Sequence, residues 1–199
     1  TYPSAFGFRP VQLGLSSGTT TIASTLREAG YHTRHIGKWH VGNPTLEQSP
    51  GRLGFDEWFG FLFQSELNGP PREDGTYRKP TYHNPWLRRN ATEARRYEGH
   101  LTDILTDEAV DFLENRAQDS APWFLNLWYF APHLPHEPAD HFRERYPEGK
   151  PGDFQALVAQ LDDSVARVLD TLERRGMAEN TLVVVVSDNG GTNSVADNN

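Results

Sequence analysis

The sequence predicts an α/β fold in which helices cover a mainly parallel central sheet. Three observations support that expectation. Stretches with helical apolar spacing alternate with short apolar strands, an order that favours parallel pairing. Each strand runs directly into a cluster of charged and polar residues. One strand, Val183 to Val186, is apolar without alternation, as expected of a central strand buried on both faces.

The elements follow in order. Ile22, Ala23, Leu26 and Ala29 form a first helical stripe, closed by Gly30 as a C-terminal cap. Leu101, Ile104, Leu105, Ala109, Phe112 and Leu113 form a second. Phe154, Leu157, Val158, Leu161, Val165, Val168, Leu169 and Leu172 form the longest, closed by Gly176. A strand is expected after each, at about 31–37, 122–130 and 181–187. Residues 43–97 differ, being rich in Gly, Pro and aromatics, with turn signals at Asn68-Gly-Pro-Pro71 and Glu73-Asp-Gly75. They read as a loop-rich excursion from the sheet with a small hairpin near Tyr82 to Arg89, and such loops often build substrate pockets.

Composition narrows the function classes. The chain has 199 residues, one domain's worth, and no cysteine, which excludes disulfides and thiolate metal sites within it. A net charge of −8 argues against a general nucleic-acid binder. No apolar run approaches the length of a transmembrane helix. The charge is uneven: residues 72–97 hold seven basic residues against three acidic ones, a net of +4, leaving −12 elsewhere. That stretch reads either as a solvated loop or as a basic rim that attracts an anionic substrate. A start at Thr1 and an end at Asn199, just past a strand and turn, lead us to expect a piece of a longer protein.

Ligands in open α/β sheets bind beyond the carboxyl ends of the strands, so the three polar clusters would meet at one edge. In Gly37-Lys38-Trp39-His40, Lys38 and His40 leave the same face of an extended chain. Lysine supplies a compact positive charge and histidine moves protons near neutral pH. Gly37 lets backbone or ligand approach closely. In Ala131-Pro-His-Leu-Pro-His136, prolines stiffen the chain and hold the histidines outside ladder pairing. His133, nearer the strand, is the better candidate for chemistry, and His136 for the pocket wall. A single histidine here would more often be structural; a second cationic cluster at the neighbouring strand end favours function. Ser187-Asp-Asn-Gly-Gly191 suits an ordinary turn. The oxygens of Asp188 and Asn189 are equally suited to ligating Ca²⁺ or Mg²⁺. Together these groups fit the binding and cleavage of a tetrahedral oxyanion beside a hard metal ion.

Four ordered segments carry a family resemblance. Thr25-Leu-Arg-Glu-Ala-Gly-Tyr-His-Thr-Arg-His-Ile-Gly-Lys-Trp-His40 closely resembles the second signature of the type I sulfatases. Gly54-Phe-Asp-Glu-Trp-Phe-Gly60, Pro132-His-Leu-Pro135 and Asn180-Thr-Leu-Val-Val-Val-Val-Ser-Asp-Asn-Gly-Gly191 resemble later segments of the same family. The likeness is weakest between Leu62 and Tyr97.

The resemblance implies an alkaline-phosphatase-like α/β fold, here an incomplete catalytic domain over residues 1–199, and hydrolysis of sulfate esters or sulfamates. It also implies a calcium ion (magnesium being less suited) and a formylglycine made from a Cys or Ser upstream of Thr1 by the formylglycine-generating enzyme. The hydrated formylglycine would attack sulfur. Carried over by position, Lys38 would bind sulfate and help release the leaving group, and His40 would take the proton that frees the sulfate. His133 would contact sulfate and the leaving oxygen, and Asp188 and Asn189 would ligate the metal. His136 would border the substrate.

The nucleophile motif, the upstream Asp-Asp pair and the second active-site lysine that the resemblance implies, the last beyond the Asp-Asn-Gly-Gly segment, are absent from residues 1–199, so this chain alone is expected to be inactive. The expected substrate is a sulfated small molecule or saccharide. The family resemblance points to a periplasmic, secreted or lysosomal protein. Two alternatives stay open: a phosphoester or phosphonate hydrolase of the same superfamily, and a non-catalytic glycan- or calcium-binding relative.

Overall fold

The computed structural model describes residues 14–16, 18–41, 46–116 and 121–191. The first three positions of the 43–97 stretch and both chain ends, Thr1 and 196–199, lie outside the described residues.

The sheet has five strands in the order β4-β3-β2-β1-β5. Strand β1 (His32–Lys38) lies between β2 (Glu57–Phe61) and the edge strand β5 (Trp123–Trp128), parallel to both. Strands β3 (Trp86–Arg89) and β4 (Arg95–Arg96) add an antiparallel hairpin on the far side of β2. Residues 43–97 therefore do not all leave the sheet: β2 is a core strand, and the hairpin lies a few residues later than the sequence suggested. The strand was hidden because it is only five residues long, set between the turn at Gly54 and the irregular segment that begins at Leu62. Its pairing is secured by Asp56, whose carboxylate accepts from the Thr33 backbone N–H and hydroxyl, both at 2.9 Å.

Helix α1 (Ile22–Glu28) begins with a capping box between Thr21 and Ser24. It ends in a glycine-terminated turn, with Gly30 N–H on Arg27 O and Tyr31 N–H on Leu26 O. Helix α2 (Leu101–Arg116) covers the opposite face of the sheet with Leu101, Leu105 and Ala109, packed against Ile36, Phe59 and Phe61. Ala23 of α1 packs with Trp39, Leu53, Phe55 and Trp58 on the other side. A short α3 (Asp140–Arg143) leads to α4 (Lys150–Arg174), which packs on α2.

Helix α4 buries Leu157 and Leu172 of the apolar stripe read in the sequence and packs Leu161 and Val168 against the core, but its inward face also takes in polar residues. Ala156, Leu157, Gln160, Ser164 and Thr171 turn inward, while Val158 and Leu169 are exposed. Polar Gln160 is drawn in by hydrogen bonds to Ala139 N–H, His100 and Asp103, a satisfied network that an apolar side chain could not supply.

The third expected strand is corrected outright. Residues 181–187 form no strand of the sheet among the described residues, and Leu182 is 90% and Val186 79% exposed. A buried parallel strand needs neighbours on both edges and cover on both faces. The described residues supply neither, so local apolarity alone does not place this segment in the sheet.

Candidate active site

Strands β1 and β5 end side by side, with Gly37 opposite Trp128. A Cβ on Gly37 would sit 2.0 Å from the Trp128 carbonyl oxygen, so the close approach anticipated at this glycine is by backbone. Beyond Lys38 the chain stays tied to the end of β2: Trp39 N–H donates to Phe61 O and His40 N–H to Leu62 O, both at 3.0 Å. The Trp39 indole donates to Gln48 O at 2.6 Å and fixes the intervening residue on the other face. Glu66 completes the support, its carboxylate accepting Leu62 N–H at 2.9 Å.

Lys38 Nζ lies 3.7 Å from Asp188 Oδ2, the lysine side chain largely buried and the carboxylate mostly open to solvent. His40 sets its ring edge-on to Phe63 at 4.3 Å, and His133 stacks on Phe130 at 4.6 Å. Partial burial lowers the pKa of both histidines. At His40 the positive charges of Lys38 and His133 lower it further, while Asp188 opposes them. At His133 the hydrogen bond to Leu134 O opposes burial, Lys38 again lowers the pKa, and Asp188 raises it. These mutual influences place Lys38, His40, His133 and Asp188 around one polar space.

The His133 tautomer follows from its partner. Nδ1 lies 2.6 Å from Leu134 O, which can only accept, so Nδ1 carries the hydrogen and Nε2 is the acceptor nitrogen of the neutral ring. The loop bearing it contains two cis peptide bonds, Ala131–Pro132 and Leu134–Pro135. His136 turns away toward α4, its ring 5.1 Å from Phe154. Burial lowers its pKa, with Asp153 opposing, so it borders the cluster rather than joining it.

Asp188 and Asn189 sit in the bend after residues 181–187, both exposed. The Asn189 amide donates to Gly190 O, and its backbone carbonyl accepts from the Ser187 hydroxyl, both at 2.7 Å. Their donors are hard oxygens, the right chemistry for calcium. Among the described residues no cluster of three His, Cys, Asp or Glu that could hold a metal ion accompanies them.

The sequence did not single out Phe63, Glu66, Tyr82 or Phe130, which shape this space. Tyr82 and Phe130 are buried aromatics, indistinguishable in sequence from ordinary core residues. Of the basic 72–97 stretch, Arg88 pairs with Glu66 and Arg89 grips Glu108 through two bonds, at 2.6 and 2.7 Å. Arg72, Arg78, Lys79, Arg95 and Arg96 stay exposed.

A sequence model of the sulfatase family matches residues 2–195, and the chain belongs to that family. It is 30% identical over 195 residues to the N-acetylgalactosamine-6-sulfatase of Mus musculus, covering 94% of this chain and 36% of the relative. It is 31% identical over 184 residues to an arylsulfatase of Hemicentrotus pulcherrimus, covering 89% and 32%. The crystal structure of Ps i-CgsB in complex with k-i-k-neocarrahexaose superposes with a TM-score of 0.77 at 28% identity, covering 94% of this chain and 44% of that one. The chain has the alkaline-phosphatase-like α/β fold of these sulfatases. It spans about a third of the length of the curated relatives it matches.

Proposed function

We propose that the whole protein to which this chain belongs hydrolyses sulfate esters, with a sulfated saccharide as the favoured substrate class. The observation that carries the reading is the meeting of Lys38, His40, His133 and Asp188 at one edge of the sheet in a sulfatase-family chain. Two relatives bear on substrate, one named for N-acetylgalactosamine 6-sulfate and one solved with a neocarrahexaose.

Lys38 acts as the fixed cation for the sulfuryl oxygens. Its charge stabilises the negative charge that grows there as the ester bond breaks. His40, its pKa lowered and its ring neutral at pH 7, is the proton acceptor. His133 meets the anion and leaving oxygen through Nε2. An arriving sulfate favours protonation of this ring, which gives Nε2 a hydrogen to donate.

Asp188 sets a condition on this scheme. Its carboxylate would repel a sulfate bound at Lys38, by about 4 kcal/mol for two unit charges 4 Å apart at an effective dielectric of about 20. A cation on Asp188 and Asn189 turns that repulsion into attraction. Calcium is the metal these oxygens suit, and it would supply positive charge to the sulfuryl group. The remaining ligands and the nucleophile, a formylglycine installed by the formylglycine-generating enzyme, would come from outside the described residues.

The test is release of sulfate from 4-nitrophenyl sulfate and from sulfated oligosaccharides by the whole protein, beside release of phosphate from 4-nitrophenyl phosphate. Sulfate release should dominate and fall roughly 10²–10³-fold in Lys38→Ala, the loss typical of one oxyanion-stabilising group. Faster phosphate release would favour the phosphoester reading, and an unaffected Lys38→Ala would remove the lysine from the site.

A further inference from the structure

Residues 133–137 are held from below by a segment 51 residues earlier in the chain. The Tyr82 hydroxyl donates to the carbonyl oxygen of His133 at 2.8 Å. The same tyrosine's backbone N–H donates to Glu137 Oε2 at 3.0 Å, and the Thr81 hydroxyl to the same oxygen at 2.7 Å. Glu137 O lies 2.8 Å from His100 Nε2. His100 Nδ1 accepts from Thr102 N–H and from the Gln160 amide, so its Nε2 carries the hydrogen and donates.

The aromatic rings extend the same support. Tyr82 is fully buried, stacked on His100 at 5.3 Å and tilted against Phe130 at 5.0 Å. Phe130 in turn carries the His133 ring, and Phe130 O accepts the His133 N–H at 2.9 Å. His133 is thus fixed at its backbone nitrogen, its carbonyl, its Nδ1 and one ring face. Three of these restraints lie within residues 130–134 themselves. The Tyr82 hydroxyl is the restraint that ties the His133 backbone to the body of the domain.

We propose that Tyr82 is a positioning residue that sets the place of the His133 imidazole through the hydrogen bond from its hydroxyl to the His133 carbonyl. The inference rests on the reading that His133 meets the substrate. A buried tyrosine whose only task was packing would do as well as phenylalanine. Here the hydroxyl reaches a carbonyl at the apex of a loop outside the sheet ladders, where few other bonds can replace it. Misplacement of a reacting group by about 1 Å can cost on the order of 10²-fold in rate. A loosened rather than displaced loop should cost less.

The experiment is a double-mutant cycle in the whole protein, with Tyr82→Phe, His133→Ala and the pair, read as kcat for an aryl sulfate. Tyr82→Phe keeps the ring and its stacking, and its unfolding midpoint in urea is measured alongside. The expected result is a fall in kcat of roughly tenfold for Tyr82→Phe, with no further fall when it is added to His133→Ala. Wild-type kcat in Tyr82→Phe overturns the proposal while leaving the role of His133 intact. An equal fall in both backgrounds overturns it too, because the hydroxyl then acts on something other than His133. Wild-type kcat in His133→Ala would instead remove the reading beneath it, and the proposal with it.

Discussion

Replacing Gly37 by alanine tests whether the ends of β1 and β5 meet as closely as the site requires. Gly37 has φ +109, a conformation that costs a non-glycine residue on the order of 1–3 kcal/mol. The added Cβ would also stand 2.0 Å from the Trp128 carbonyl oxygen and 2.8 Å from its carbon, whereas ordinary contact begins near 3.4 Å. The two strands would have to part by more than about 1 Å across a parallel ladder, an overpacking penalty of roughly 1–3 kcal/mol. The sum, about 2–6 kcal/mol, is a large share of the roughly 5–15 kcal/mol that holds a domain folded. Gly30→Ala provides the control. Gly30 has φ +89 but nothing within 4 Å of its Cβ position, so it should lose only the backbone contribution, about 1–2 kcal/mol. Urea unfolding of both variants separates the clash from the backbone cost. Equal losses would mean that Trp128 does not approach Gly37 as described, and the placing of Lys38 by that approach would fail.

Two further outcomes concern protons. His35 is fully buried between Trp39, Phe55 and Trp128, and burial, partly offset by the Gly37 backbone, lowers its pKa from 6.5 to about 3. The unfolded chain binds this proton below pH 6.5 and the folded chain does not, so stability falls as pH drops from 6.5 toward 3. At pH 4.5 the loss from this group is about 3 kcal/mol, and His35→Gln should show a stability difference between pH 7 and pH 4.5 smaller by about that amount. An unchanged difference would mean that His35 is not buried as a neutral ring. In the active site, a bound anion should raise the lowered pKa of His40. The acid limb of kcat should then lie at higher pH than that of kcat/KM, and His40→Ala should abolish both limbs. Coincident limbs would argue that no anion binds beside this ring.

What could be read from the sequence follows from the range of the interactions. The capping box at Thr21 and the glycine end of α1 are local and were legible in part as Gly30 punctuation. Helix α2 and strand β1 were legible because their periodicity matches the faces they bury. Residues 181–187 were misread because their apolarity is local, while strand formation depends on partners. The apolar stripe of α4 was legible at Leu157 and Leu172, but buried Gln160 was not, because it is recruited by groups far away in sequence, which apolar periodicity ignores. At the site, Lys38, His40 and His133 stood out because chemistry gathers at strand ends, and Asp188 because an Asp-Asn-Gly-Gly turn follows an apolar run. Tyr82 did not, since its contact with His133 spans 51 positions and needs the folded loop.

A structure of the whole protein soaked with a sulfated oligosaccharide tests the central claim most directly. The account predicts a sulfate group with oxygens within hydrogen-bond reach, roughly 2.7–3.2 Å, of both Lys38 Nζ and His133 Nε2, with His40 beside it. It also predicts a cation between that sulfate and the Asp188 carboxylate. A sulfate bound at the exposed arginines of residues 72–97, with the space among Lys38, His40 and His133 holding only water, would contradict it.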